Sequence, residues 1–124
     1  MAYEKLKQIK LLYVEDDDSV MDVFARGIKR KVDELYLACD GQEGYNKYLE
    51  FRPDMIITDL KMPVMTGFEM IEKIRKIDKS IPIIITSADD QSSTYNEAEN
   101  LNINGYITKP IDKKQLFDVM ENNI

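Results

Sequence analysis

Five short apolar runs constrain this chain more than any other feature: Ile9 to Val14, Leu35 to Ala38, Met55 to Thr58, Ile83 to Thr86 and Tyr106 to Thr108. Three of them lack polar alternation, and continuous Ile, Leu and Val runs of that length suit parallel strands buried on both faces. The segments between them have helical period. The pattern is β-α repeated five times, which implies an α/β fold with a doubly wound parallel sheet. At 124 residues the chain fits one domain with a hydrophobic core and leaves no room for a second.

Three helix starts are signalled by a capping side chain placed three residues before an acid or amide: Asp40 with Glu43, Thr66 with Glu69, and Asp112 with Gln115. Each opens an amphipathic stretch, with inward faces of Tyr45, Tyr48 and Leu49; Met70, Ile71, Ile74 and Ile77; and Leu116, Phe117 and Met120. The first helix follows Asp17 or Asp18, with Val20, Val23, Phe24 and Gly27 or Ile28 facing inward. A glycine inside a helix costs about 1 kcal/mol against alanine, so Gly27 is expected to mark a close approach. The fourth helix, Ser92 to Leu101, has a thin stripe of Tyr95, Ala98 and Leu101 among Ser, Thr, Asn and Glu. It is held weakly, as switching elements are, and Asn102 is suited to end it in the left-handed conformation.

Composition removes several functions. The net charge of −6 disfavours direct nucleic-acid binding, since phosphate backbones demand clustered Lys and Arg. Histidine is absent, which excludes Ser-His-Asp catalysis, His-ligated zinc and a phosphohistidine carried by this chain. The single cysteine, Cys39, follows an apolar stretch and reads as buried packing. The opening residues Met1-Ala2-Tyr3-Glu4-Lys5 lack an apolar signal core and no run approaches a membrane span, so a cytoplasmic protein is expected.

Doubly wound sheets bind ligands beyond the carboxyl ends of their strands, and this chain puts its reactive side chains there. Glu15, Asp16 and Asp17 follow the first run, Asp59 the third, Ser87 the fourth and Lys109 the fifth. Carboxylates brought together repel and need a cation. Mg²⁺ fits, because it takes one or two carboxylates and leaves room for phosphate oxygens, whereas Ca²⁺ asks for more oxygen ligands. A carboxylate is also a nucleophile toward phosphorus, and Asp59 is the natural candidate, with Lys109 and the Ser87 hydroxyl to hold the product. Singly, each residue has a plainer reading. Asp17 or Asp18 serves as a helix cap, Asp59 as a turn acid before Met62-Pro63, and Lys109 as surface. Their joint placement at four strand ends favours the site.

These residues resemble the receiver domain of bacterial two-component response regulators, of the chemotaxis regulator type. The anchors are Leu12-Tyr13-Val14-Glu15-Asp16-Asp17, Asp59-Leu60-Lys61-Met62-Pro63 with Gly67, Thr86-Ser87-Ala88, and Gly105-Tyr106-Ile107-Thr108-Lys109-Pro110. The resemblance implies a flavodoxin-like (βα)5 fold with a five-stranded sheet in the order 2-1-3-4-5. It implies Asp59 as phosphoacceptor, Asp16 as direct Mg²⁺ ligand, Glu15 as ligand through water and the Lys61 backbone carbonyl as a further ligand. Ser87 and Lys109 are implied as phosphoryl sensors, with a cis peptide before Pro110, and Tyr106 as the aromatic switch. Ile103 stands where alanine is usual, bearing on packing beneath the phosphate, and Lys61 and Asp89 are expected to pair across the pocket mouth.

The implied function is a phosphorelay: a sensor histidine kinase or histidine phosphotransfer protein donates to Asp59, and the surface around the fourth helix, fifth strand and fifth helix signals to an output protein or domain. Val20 and Met21 are the expected docking face for the donor. The region from Tyr95 to Tyr106 is expected to meet the output partner or form a phosphorylation-dependent homodimer. The chain ends about where the last helix does, so residues 1–124 are expected to be a single receiver without an output domain, either acting alone or part of a longer protein. Three alternatives differ. A haloacid dehalogenase-type phosphohydrolase usually wants an acid where Lys61 stands. A flavodoxin-like electron carrier is opposed by Glu15-Asp16-Asp17-Asp18, which would repel a phosphate. A receiver-like interaction module would work without phosphorylation.

Overall fold

The computed structural model describes residues 3–89 and 91–124, so Met1 and Ala2 of the expected leaderless N-terminus lie outside the described residues. Five strands, β1 (Lys10–Val14), β2 (Glu34–Ala38), β3 (Met55–Asp59), β4 (Ile83–Ser87) and β5 (Gly105–Thr108), form one sheet. All pairings are parallel and the order is β2-β1-β3-β4-β5, as the resemblance implied. The helices α1 (Asp18–Lys31), α2 (Gly41–Phe51), α3 (Gly67–Ile77), α4 (Ser92–Glu99) and α5 (Lys113–Asn122) alternate with the strands. A short 3-10 turn, Glu4–Gln8, precedes them.

The sheet separates two cores. Residues of α2, α3 and α4 pack with Leu12, Val14, Ile56, Ile83 and Ile85 on one face. Those of α1 and α5 pack with Leu11, Tyr13, Ile57, Ile84 and Ile107 on the other. β3 and β4 are buried along their whole length, which is why their sequences need no polar alternation.

The capping signals act as expected at Thr66, whose side chain accepts from Glu69 N while Glu69 returns a bond to Thr66 N. Asp40 accepts from Glu43 N, but Glu43 reaches back to Cys39 N rather than to Asp40. Asn102 adopts φ 57°, the left-handed stop expected after the fourth helix.

Several inward faces need correction. On α1, Met21 and Ile28 enter the core while Val23 is 55% exposed. Each helical residue turns about 100°, so Val23 lies about 200° from Met21, on the opposite face. Leu49 and Ile77 are exposed as well. Leu49 sits one residue beyond buried Tyr48, and Ile77 ends α3. Gly27 marks no tight approach, since an added Cβ would meet Lys113 and Phe117 at an ordinary 3.9 Å. Cys39 is exposed, because the chain leaves the edge strand β2 after Ala38.

Candidate functional site

The parallel sheet delivers its strand ends to one edge. Asp59 closes β3 and Ser87 closes β4, while Glu15 and Lys109 follow directly on β1 and β5. Lys109 Nζ donates to Glu15 Oε1 at 2.9 Å and to Asp59 Oδ2 at 2.8 Å, so three strand ends meet at one ammonium. Asp59 Oδ1 accepts from Leu60 N at 2.6 Å and from Lys61 N at 3.4 Å, which fixes the carboxylate. Gly67 makes that turn possible. Its N–H donates to Leu60 O at 2.8 Å, and a Cβ there would sit 2.1 Å from Asp59 O.

Glu15, Asp59 and Ser87 are buried polar groups in an otherwise apolar sheet, and Asp16 is exposed beside them. Burial pushes the Glu15 carboxyl up. Hydrogen bonds from Lys109 and Asp17 N oppose this, the Asp59 charge adds to it, and the net direction is upward. Burial pulls the Lys109 ammonium down, but its hydrogen bonds to Asp59 and Glu15 outweigh that and hold it above its usual range. One oxygen each from Glu15, Asp16 and Asp59 lies within 4.8 Å of the others. Three carboxylates answered by one lysine remain in excess of negative charge, and a hard oxygen donor set of this kind suits Mg²⁺. The Asp17 carboxylate is turned away, and only the Asp17 N–H reaches the cluster, donating to Glu15 Oε2 at 3.1 Å. Its Oδ1 caps α1 by accepting from Ser19 N at 2.9 Å and Val20 N at 3.2 Å.

A cleft of about 380 Å³ opens over these groups, lined by Asp59, Lys61, Ser87, Ala88, Asp89, Gln91 and Lys109. Lys61 and Asp89 do not form the expected pair: the Asp89 carboxylate accepts from Gln91 N at 2.9 Å and Thr94 Oγ1 at 2.8 Å. These bonds, with the more distant Lys61 charge, hold the Asp89 carboxyl below its usual range. Asp89 has a further role the sequence did not signal. Its N–H donates to Ser87 Oγ at 3.0 Å, and its carbonyl accepts from Tyr106 Oη at 2.5 Å. Tyr106 is half-buried and meets Tyr95 edge-on, with ring centroids 5.6 Å apart. The cis peptide at Lys109-Pro110 is present.

Two expected positions are refined by the fold. Met21 is largely buried but lines a shallow hollow with Glu15 and Asp18, while a separate apolar hollow beside Lys109 is lined by Val20, Phe24, Pro110 and Ile111. Ile103 does not lie beneath the site, because it precedes β5 and so stands at the opposite end of the sheet from Lys109. The sequence also missed Arg75, a buried guanidinium that donates to the carbonyls of Leu101, Asp78, Ile81 and Asn102. Its signal was slight, a cation among the apolar positions of α3.

Residues 11–121 match the family model of the response regulator receiver domain. The chain belongs to that family. Among relatives of this receiver, a probable transcriptional regulator, ycf29, of Porphyra purpurea is 30% identical over 92% of this chain and 56% of its own length. The transcriptional regulatory protein PrrA of Mycobacterium leprae is 32% identical over 82% of this chain and 43% of its own. The receiver therefore spans about half the length of these curated relatives. A chemotaxis protein of Vibrio cholerae, CheY4, shares the fold with a TM-score of 0.88 and 28% identity, covering 94% of this chain and 99% of that one. Membership sets aside the phosphohydrolase and electron-carrier readings. Among the described residues no helix is long and apolar enough to cross a membrane.

Proposed function

We propose that this receiver accepts a phosphoryl group on Asp59 and passes the change to its surface through Ser87, Asp89 and Tyr106. The observation that carries the reading is the Lys109 ammonium shared between Asp59 Oδ2 and Glu15 Oε1 at the floor of an open cleft. An Asp59 oxygen attacks the phosphorus of a phosphohistidine donor. The new O–P bond forms as the N–P bond breaks, and the electron pair leaves with the imidazole. Glu15, Asp16, Asp59 and the Lys61 backbone carbonyl are the residues that would hold Mg²⁺, which when bound screens the approach of two anions and neutralises charge on the phosphoryl oxygens.

Lys109 and the Ser87 hydroxyl then take the new oxygens. Ser87 Oγ now accepts from Asp89 N, and the Asp89 carbonyl holds the Tyr106 hydroxyl, so a pull on Ser87 is felt at the Tyr95–Tyr106 surface. The apolar hollow of Val20, Phe24, Pro110 and Ile111 beside Lys109 is the docking face for a histidine kinase or histidine phosphotransfer donor. The face around α4 and β5 serves the output partner or a phosphorylation-dependent homodimer.

Incubation with acetyl phosphate and Mg²⁺ followed by intact mass tests this. One added phosphoryl group is expected, absent with EDTA and absent in Asp59→Asn. A protein that gains no mass under these conditions refutes the phosphoacceptor role.

A further inference from the structure

The sheet face beneath Asp59 carries two hydroxyls that this reaction does not use. Tyr13 and Thr86 are fully buried, and among the described residues Tyr13 Oη and Thr86 Oγ1 are the buried side-chain polar atoms without a hydrogen-bond partner. A buried hydroxyl in that state forfeits the bonds water would give it, which is why nearly all of them are paired. Both lie under the site. Thr86 stands beside Asp59 in the β3–β4 register, and paired residues on neighbouring strands present their side chains to one face. Tyr13 precedes Glu15 by two residues and shares a core with Ile57, which precedes Asp59 by two. Burial and then the charges of Glu15 and Asp59 push the Tyr13 phenol up, so both acids act on it.

The supply of partners changes when Lys109 moves. One ammonium serves Glu15 Oε1 and Asp59 Oδ2, and it is the group that must turn to the phosphoryl oxygens if Asp59 is the acceptor, the reading on which this step rests. Its departure leaves Glu15 Oε1 short of a donor, together with the carbonyl oxygen that Asp59 keeps once its other oxygen carries the phosphorus. Two hydroxyls short of an acceptor lie on the same sheet face.

We infer that Tyr13 and Thr86 are reserve donors, the Tyr13 hydroxyl to Glu15 and the Thr86 hydroxyl to Asp59, engaged when Lys109 leaves for the phosphoryl group. They are positioning residues. The exchange asks for a turn of the Thr86 side chain and a movement of the Glu15 carboxylate toward the phenol. In the Lys109-bridged state they stand idle at a cost, and in the phosphorylated state they hold the Glu15 carboxylate and the acyl carbonyl oxygen of Asp59.

Tyr13→Phe and Thr86→Val remove the hydroxyls and keep the shapes. Without Mg²⁺ or phosphodonor, both variants are expected to melt at or above the wild-type temperature, since each removes a buried unpaired group. With Mg²⁺ and acetyl phosphate, each is expected to gain the phosphoryl mass at least fivefold more slowly than wild type, and Thr86→Ser to restore the rate. Variants phosphorylated at the wild-type rate overturn the inference and leave Asp59 as acceptor. So does a lower metal-free melting temperature, because it would mean the hydroxyls were already paired. A wild-type protein that takes no phosphoryl group fails one step earlier, at Asp59 itself, and removes the inference with it.

Discussion

Single residues in the loops set what the strand ends can do. Val64 follows Met62-Pro63 in the turn after Asp59, at φ 68° and 81% exposed, with Met65 N donating to Pro63 O at 2.7 Å. That bond closes a γ-turn on Val64, a strained conformation that costs a β-branched side chain about 1–2 kcal/mol, and asparagine tolerates positive φ far better. Val64→Asn is therefore expected to raise stability by about 1 kcal/mol, read as a higher urea midpoint with an unchanged slope. A lower midpoint would mean that the valine side chain packs to advantage despite its exposure. Neither this strain nor the bridging role of Asp89 was legible in the sequence. Both depend on the path of a loop, and hydrophobic period carries no information on that path. Asp59, Ser87 and Lys109 were legible because each is anchored to the end of an apolar run.

Among the elements, α4 joins the site to the surface, and its two ends are held differently. Its start hangs on Asp89, which bonds Thr94, Gln91 N and Ser87. Beyond its end, Arg75 donates to Leu101 O at 2.9 Å and Asn102 O at 2.8 Å while also tying Ile81 O at 2.8 Å. Ala98 is its one fully buried apolar residue, and Tyr95 is 45% exposed. A helix fixed at its far end and tied at its near end to Ser87, the proposed phosphoryl sensor, is suited to swing. Arg75→Ala strips donors from several carbonyls and is expected to cost about 2–4 kcal/mol. Hydrogen exchange should quicken around residues 99–104 before it does in β3. Equal protection in the variant would show that the apolar contacts of Ala98 and Leu101 hold the helix end alone. The sequence foretold the weak stripe of α4 but not its anchor, because periodicity ranks positions by hydropathy and passes over a guanidinium that enters the core by satisfying carbonyls. The misplacement of Val23 has a similar origin. Two apolar sets on α1 are compatible with helical period, and only packing against α5 selects the one containing Met21.

At the scale of the whole molecule, a two-sided apolar core gathers its charge conflict at one edge of the sheet, so the stability of the domain is linked to protons there, and a metal ion on the same acids would add a second linkage. Burial, resisted by Lys109, raises the Glu15 carboxyl above its usual 4.5. The folded state then binds a proton more tightly than the unfolded chain, and stability falls as pH rises from the ordinary carboxylate range through the raised value. Lys109 acts at the other end of the scale. Its ammonium is held above the usual 10.5, so its contribution is complete below that pH and is lost only as pH rises through the raised value. Glu15→Gln removes the first linkage and keeps an oxygen for Lys109. In metal-free thermal melts the variant should gain on wild type as pH climbs through the window above 4.5 and hold a constant lead above it. Mg²⁺ reverses the order, because it favours the ionised carboxylates that the apolar surroundings oppose. At a hundred times its Kd it should add about 2.7 kcal/mol to wild type, with clearly less at the same concentration in Glu15→Gln and in Asp16→Asn. If Mg²⁺ stabilises all three proteins equally, the ion is held somewhere other than this edge, and the acids there are balanced by Lys109 alone.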